Sequence, residues 1–218
     1  MKDKIKSASK AHTIYKLKDG TRVPGTTTIT GLLNKPFLIK WANDLGLEGI
    51  DSTKYRDEAA EAGTVAHEMI SAHLQGMKID TSIYSPLSVD LAENSFLSYL
   101  EWEKSHSIEP IIVESPFLHE IMKYGGTVDC YCKLDGIPTL LDFKTGKAIY
   151  DEYFVQVAGY REILIHHDYE VEQCRILRIG RAENEGFEDR KVSCINDYFE
   201  IFNALLHIYK MKKKVGWK

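Results

Sequence analysis

The chain has 218 residues, 44% of them hydrophobic, and a formal net charge of −4. That size and balance fit one soluble globular unit with a sizeable core, and the lack of any long uncharged apolar run excludes a transmembrane helix. The acidic balance disfavours a nonspecific nucleic-acid coat, but it is compatible with acids clustered at a metal site and basic residues elsewhere meeting phosphates.

The N-terminal stretch Met1 to Lys10 is rich in lysine and serine and has no apolar run. It reads as a frayed tail and not as a secretory signal. His12 to Pro24 predicts a short hairpin turning at Asp19-Gly20. Thr26, Thr27 and Thr28 precede Ile29 to Leu33, a short helix capped by threonine. Asn34-Lys35-Pro36 breaks that helix. Phe37 to Leu47 reads as an amphipathic helix with Trp41 on its apolar side. Lys54 to Gln75 predicts a long helix with Gly76 as its C-cap. Pro86 falls in the first turn of the next helix, which runs to about Ser107 with Leu91, Phe96, Leu97 and Leu100 as its apolar stripe. Pro110 to Leu118 is a first strand, and a hairpin follows. Asp151 to His166 returns to helix, Val171 to Ile179 is a strand, and Glu185 to Val192 is a short partner for it. Asp197 to Lys213 closes the chain as an amphipathic helix, and its lysine run suits the negative end of a helix dipole. The fold class is therefore α/β, a central mixed β-sheet flanked by helices, in one domain. Residues 1–53 form an N-terminal hairpin and helices, and residues 54–218 the core.

The hairpin in the middle carries the chemistry. Gly126-Thr127-Val128-Asp129 precedes Asp135-Gly136, and Leu141-Asp142-Phe143-Lys144 follows. Asp-Gly between apolar runs is the signal of a two-residue type I′ turn. Numbering outward from that turn, Leu134 faces Ile137 and Asp129 faces Asp142, with Cα atoms about 4.5 Å apart. Carboxylates placed so closely repel, and a divalent cation is the usual remedy. Lys144, two residues beyond Asp142, shares its face. The opposite face would hold Val128, Cys130, Cys132, Leu134, Ile137, Leu141 and Phe143 as core. Pro138 would face Lys133 at a position where its missing N–H is not needed. Slipping the register by one residue would bury the acids and expose the core.

Other residues add to this set by spacing. Gly63 and His67 share a helix face, as do Gln156 and Tyr160. A glycine one turn from a histidine allows close approach of another backbone or a ligand. His73 lacks such a context and reads as surface. The four cysteines, at 130, 132, 174 and 194, have no C-x-x-C spacing. They read as reduced thiols of an intracellular protein, without structural zinc.

Taken in order, the pattern is Gly-x-x-x-His, Gly-x-x-Asp, Asp-x-Lys-Thr and Gln-x-x-x-Tyr. It resembles the RecB-like nucleases of the PD-(D/E)XK superfamily. The residues that carry the likeness are Gly63, His67, Asp129, Asp142-Phe143-Lys144-Thr145, Gln156 and Tyr160. Arg22 to Ile29, with Lys35-Pro36 and Trp41, is similar to phage-encoded members. The resemblance implies a restriction-endonuclease-like core and a metal-dependent DNA exonuclease that acts in recombination or repair. It implies Mg²⁺ or Mn²⁺ held by His67, Asp129, Asp142 and the backbone carbonyl of Phe143, with Glu114 a secondary candidate. Lys144 would polarise the attacking water, and Gln156 and Tyr160 would position the substrate or brace the site. Thr145 and Lys147 would meet a phosphate. Hard oxygen donors with one imidazole suit such ions. Some relatives carry an iron–sulfur cluster, but no cysteine precedes His67 here, so none is expected. No Walker A motif occurs, so no nucleotide cofactor is expected either, and any helicase motor must be another protein. The expected partner is single- or double-stranded DNA, with a recombination annealing protein or helicase possible and no membrane. The expected location is cytoplasmic, the host cytoplasm if phage-encoded. Oligomeric state is not readable. Two other readings stay open: a structure-specific or flap endonuclease on the same core, and a non-catalytic nucleic-acid-binding module.

Overall fold

The computed structural model describes residues 13–217. The lysine-rich tail, with His12 at the start of the first expected hairpin, lies outside the described residues, as does Lys218. The hairpin itself is β1 (Tyr15–Lys16) and β2 (Arg22–Val23), with Gly20 at φ +83° in its turn. The following helix, α1 (Thr26–Thr30), departs from the expected capping. Its N-cap is Gly25, and the threonines lie inside the helix. The buried Thr26 hydroxyl instead donates to the Gly125 carbonyl at 2.9 Å, tying α1 to the sheet.

α2 (Phe37–Leu47) follows Pro36 as expected, but none of its side chains is fully buried. α3 (Ser52–Leu74) begins two residues before the expected start because Asp51 is a true N-cap, accepting from the Thr53 and Lys54 amides. Gly76, at φ +64°, lies just past its end. α4 (Pro86–Glu103) carries Pro86 in its first turn and stops short of Ser107. Its buried residues are Ser88, Ala92, Ser95 and Tyr99, and Leu97 points to solvent at 62% exposure. Small side chains on that face let α4 approach the sheet closely enough for Ser95 Oγ to reach the Gly180 carbonyl at 3.0 Å.

β3 (Ile108–His119), β4 (Tyr124–Leu134), β5 (Ile137–Thr145), β6 (Gln173–Ile179) and β7 (Phe187–Lys191) form a five-stranded mixed sheet in that order. The β5–β6 pair is parallel and is connected through α5 (Asp151–His166); the other pairs are antiparallel. The β4–β5 turn has Asp135 at φ +52° and Gly136 at φ +82°, the two positive values of a type I′ turn. It sets the expected register, with Leu134 opposite Ile137 and Lys133 opposite Pro138. α6 (Ile195–Lys214) closes the chain.

Helices cover both faces of the sheet. On one face Ile70 of α3 and Tyr99 of α4 pack on Cys130, Cys132, Leu141, Phe143 and Leu177. On the other, Val157, Tyr160 and Leu164 of α5 pack on Tyr131, Leu140 and Ile176. α6 backs α5, with Phe202, Leu205 and Leu206 against Ile163. The hairpin therefore has no solvated face, and the acids are buried in the register that was expected to expose them: Asp129 is 4% and Asp142 1% exposed. Val128 also departs from its expected place, packing in the α5-side cluster and not with Cys130. Ile137, expected in the core, is 40% exposed beside the turn. Cys130, Cys132 and Cys174 are buried free thiols and Cys194 is an exposed one. No described helix is long and apolar enough to cross a membrane.

A buried histidine makes this fold acid-sensitive at one place. His119, at the end of β3, is 5% exposed and stacks on His166 at 4.1 Å. Its Nδ1 accepts from the Met122 amide. Burial, then the charges of His166 and His167, pushes its pKa from 6.5 down to about 4. Unfolded chains bind this proton at higher pH than folded ones, so the contribution is complete above pH 6.5 and is lost as pH falls toward 4. His119→Asn retains an acceptor near Nδ1 and should flatten the fall of the urea midpoint across that window. Parallel midpoint curves for the two proteins would contradict this assignment.

Candidate functional site

The site begins where the β4–β5 ladder ends. Backbone pairing runs from Leu134–Ile137 to Cys130–Leu141 and stops, so Asp129 and Asp142 are not a ladder pair. In place of a strand carbonyl, Asp129 Oδ2 accepts the Phe143 amide at 2.8 Å. β5 meanwhile stays paired with β6 as far as Thr145. The two strands thus part into a fork closed by a side chain.

β3 is irregular at the same level. Glu114 has φ +47°, between the paired positions Val113–Cys130 and Ser115–Val128. A non-glycine residue held there costs on the order of 1 kcal/mol and is kept only where its surroundings enforce it. The irregularity lies across from the point where alternation along β4 breaks, between Cys130 on the α3 side and Val128 on the α5 side. It also leaves Glu114 beside Asp129 and His67. His67 Nδ1, from α3, lies 3.7 Å from Glu114 Oε1 and 3.7 Å from Asp129 Oδ2. Among the described residues these three form one group whose potential ligand atoms lie within 4.8 Å of one another. The secondary candidate, Glu114, is thus placed in the cluster.

Asp142 lies outside that trio and meets Lys144, whose Nζ is 2.5 Å from Asp142 Oδ2. Lys144 also sits 5.1 Å from the Tyr153 ring centroid. Phe143 turns to the α3 side, where its ring meets the His67 ring edge-on at 6.0 Å. On α5, Gln156 Nε2 donates to the Tyr160 hydroxyl at 2.7 Å. Burial, then the charges of Asp142 and Asp129, pushes the Tyr160 phenol well above its usual range. The phenol therefore stays protonated throughout the physiological range, as a polar wall of the site.

A cavity of about 220 Å³ joins these groups, lined by His67, Asp129, Lys144, Thr145, Gln156 and Tyr160 among others. It is smaller than the roughly 300–1,000 Å³ of a drug-sized pocket. Lys147 does not line it; it lines a larger neighbouring groove, which Thr145 and His67 also border. Two glycines make the walls possible. A Cβ on Gly126 would lie 2.5 Å from the Tyr160 ring, and one on Gly63 would lie 2.7 Å from Thr145 Oγ1. Sequence spacing missed Tyr153, because nothing in the chain couples it to Lys144 before α5 folds back on the sheet. It also missed Tyr15, whose hydroxyl bonds Thr127 Oγ1 at 2.9 Å across 112 residues.

No family model matches the sequence, and no curated protein matches it. Solved structures similar to the chain include that of SSO0001, at TM-score 0.35 and 13% identity, covering 69% of this chain and 72% of that one. They also include an alkaline exonuclease (LHK-Exo) from Laribacter hongkongensis, at TM-score 0.35 and 13% identity, covering 69% and 83%. The same exonuclease in complex with dAMP gives TM-score 0.33 and 13% identity, covering 73% and 91%. At these scores the likeness carries no argument about this chain, and the geometry above stands on its own.

The Gly63–Thr145 contact gives a sign-reversing test. Alanine in a helix is favoured over glycine by about 1 kcal/mol, but overpacking costs about 1–3 kcal/mol. Gly63→Ala should lower stability in the native background and raise it in a Thr145→Ala background, read by urea denaturation. Equal effects in both backgrounds would show that Thr145 does not set the glycine requirement.

Proposed function

We propose that the chain is a metal-dependent deoxyribonuclease that hydrolyses DNA from free ends, an exonuclease of the RecB-like kind. The observation that carries the reading is the convergence at the strand fork. A histidine, two carboxylates and an ion-paired lysine meet beside a small cavity. One imidazole with hard oxygen donors suits Mg²⁺ or Mn²⁺. His67, Glu114 and Asp129 would hold the ion, with Asp142 and the Phe143 carbonyl as further donors from β5. When bound, such an ion stabilises charge on the scissile phosphate and eases deprotonation of water.

The remaining roles belong to the chain's own groups. Asp142 and the Tyr153 ring fix Lys144, which orients the attacking water and neutralises charge beside the phosphate. Gln156 and Tyr160 brace the cavity wall, and Thr145 faces the phosphate. Lys147 meets the backbone further along the groove. α2 accounts for the preference for ends. It joins α5 through the Lys35–Glu152 ion pair at 2.7 Å and the Phe37–Tyr150 stack, and α3 through Trp41 against Tyr55. It thus links the start of α5 to α3 along the border of the groove, and a strand with a free end enters beside such a helix more readily than a closed one.

End-labelled linear DNA and a closed single-stranded circle, incubated with Mn²⁺, Mg²⁺ or EDTA, test this reading. Loss of the linear DNA only, dependent on metal and reduced at least about 10²-fold by Lys144→Ala or Asp142→Ala, is the expected result. Cutting of the circle would replace the exonuclease with an endonuclease. DNA binding without turnover in any metal would make the chain a binding module.

A further inference from the structure

Beside the fork lies a groove of about 1250 Å³, bordered by α2, α3 and the β5–α5 connection and running up to His67 and Glu114. Its lining combines two chemistries. Phe37, Trp41, Tyr150 and Tyr153 offer aromatic faces and edges, and the exposed Lys78 and Lys147 offer positive charge. The Phe37 and Tyr150 rings lie parallel to within 3° at 5.1 Å, and Phe37 remains 42% exposed. The Lys35–Glu152 pair fixes the chain just before Phe37 to the first turn of α5. α2 itself buries no side chain, although Phe37, Leu38 and Ile39 at its start are all exposed.

Aromatic faces with flanking cations are what an unpaired strand requires: bases stack and phosphates pair with lysine, whatever the sequence. In a duplex the base faces are already covered by their neighbours, and an aromatic ring gains little except at an end. We infer that this groove binds single-stranded DNA, stacking bases on the Phe37–Tyr150 platform and carrying the backbone past Lys147 toward the fork. The inference rests on the nuclease reading for its choice of ligand. It adds the strandedness of the substrate and the residues that select it.

The test is fluorescence anisotropy of labelled oligo-dT with the full chain in EDTA, where no cleavage occurs. Phe37→Leu and Tyr150→Leu keep apolar bulk but remove the ring, and each should weaken binding about five-fold or more. Phe37→Tyr restores a ring and should bind as the native protein does. Because α2 places no side chain in the core, Phe37→Leu should leave the melting temperature unchanged, which is checked alongside. Blunt duplex DNA should compete far less well than unlabelled oligo-dT. Unchanged affinity in both leucine variants, or equal competition by duplex, would overturn the inference. The two readings fail separately. A protein that cuts DNA but binds oligo-dT independently of Phe37 keeps its nuclease assignment and loses this one. A protein that binds oligo-dT through Phe37 and cuts nothing does the reverse.

Discussion

The hydrogen bond from the Phe143 amide to Asp129 is the interaction on which the site depends. Regular antiparallel pairing would join β4 to β5 along their whole length and leave no room between them. A carboxylate in place of the next carbonyl ends the ladder and still satisfies a buried amide that would otherwise be costly to leave unpaired. The same substitution positions Asp129 between β5 and α3, within reach of His67. One side chain thus does three things: it stops the ladder, caps an amide and becomes a candidate ligand. Glu114, with its left-handed backbone, is the matching departure on the other side of β4.

Burial of these acids explains the surroundings. Two carboxylates and a third nearby, all largely out of water, strongly favour positive partners. Lys144 supplies one fixed partner to Asp142. Tyr160 in the cavity wall responds to the same field, held protonated by burial and then by the negative charge of Asp142 and Asp129, while Tyr153 is held so by burial and then by Glu152. The sheet underneath is rigid where it must be, with helices on both faces. The wall that meets the proposed substrate is looser, because α2 fully buries no side chain and is held at its N-terminal end and by Trp41 against Tyr55. Stability is concentrated at the chemistry, and adaptability at the groove.

Much of this was legible before any coordinates. The Asp135-Gly136 turn fixes the β4–β5 register, and the two-residue period of the strand puts Lys144 on the face of Asp142. Helix α5 has the bounds its pattern predicts. What was not legible depends on long-range packing. Thr26 looked like a cap because hydroxyl residues before an apolar run usually are, yet its hydroxyl found the Gly125 carbonyl across 99 residues. Of the expected α4 stripe, Phe96 and Leu100 do pack on the core, but Leu97 faces solvent, and close approach to the end of β6 puts Ser95 and Ala92 among the fully buried positions. Strict alternation placed Val128 with Cys130 and the two acids opposite each other. Instead the β4–β5 ladder stops short of Asp129, whose carboxylate takes the Phe143 amide, and alternation along β4 breaks between Val128 and Cys130; neither departure shows in composition or spacing.

The net charge can now be read in spatial terms. A formal charge of −4 argued weakly against nucleic acid when spread over the whole chain. In the folded protein, however, a group of acids is withdrawn into the fork, where a divalent cation would offset them, while Lys78 and Lys147 stay exposed along the groove. A strand lying in that groove would meet Lys78, Lys147 and the aromatic rings, with Glu68 and Glu114 also in the lining. On the proposed function, the lysines and rings supply attraction along the groove, and the acids of the fork act at the phosphate to be cut. On that reading, binding strength and reactivity are set by different residues, so a change at Phe37 should alter grip without touching Lys144, and a change at Lys144 should remove reactivity while leaving the stacking platform in place.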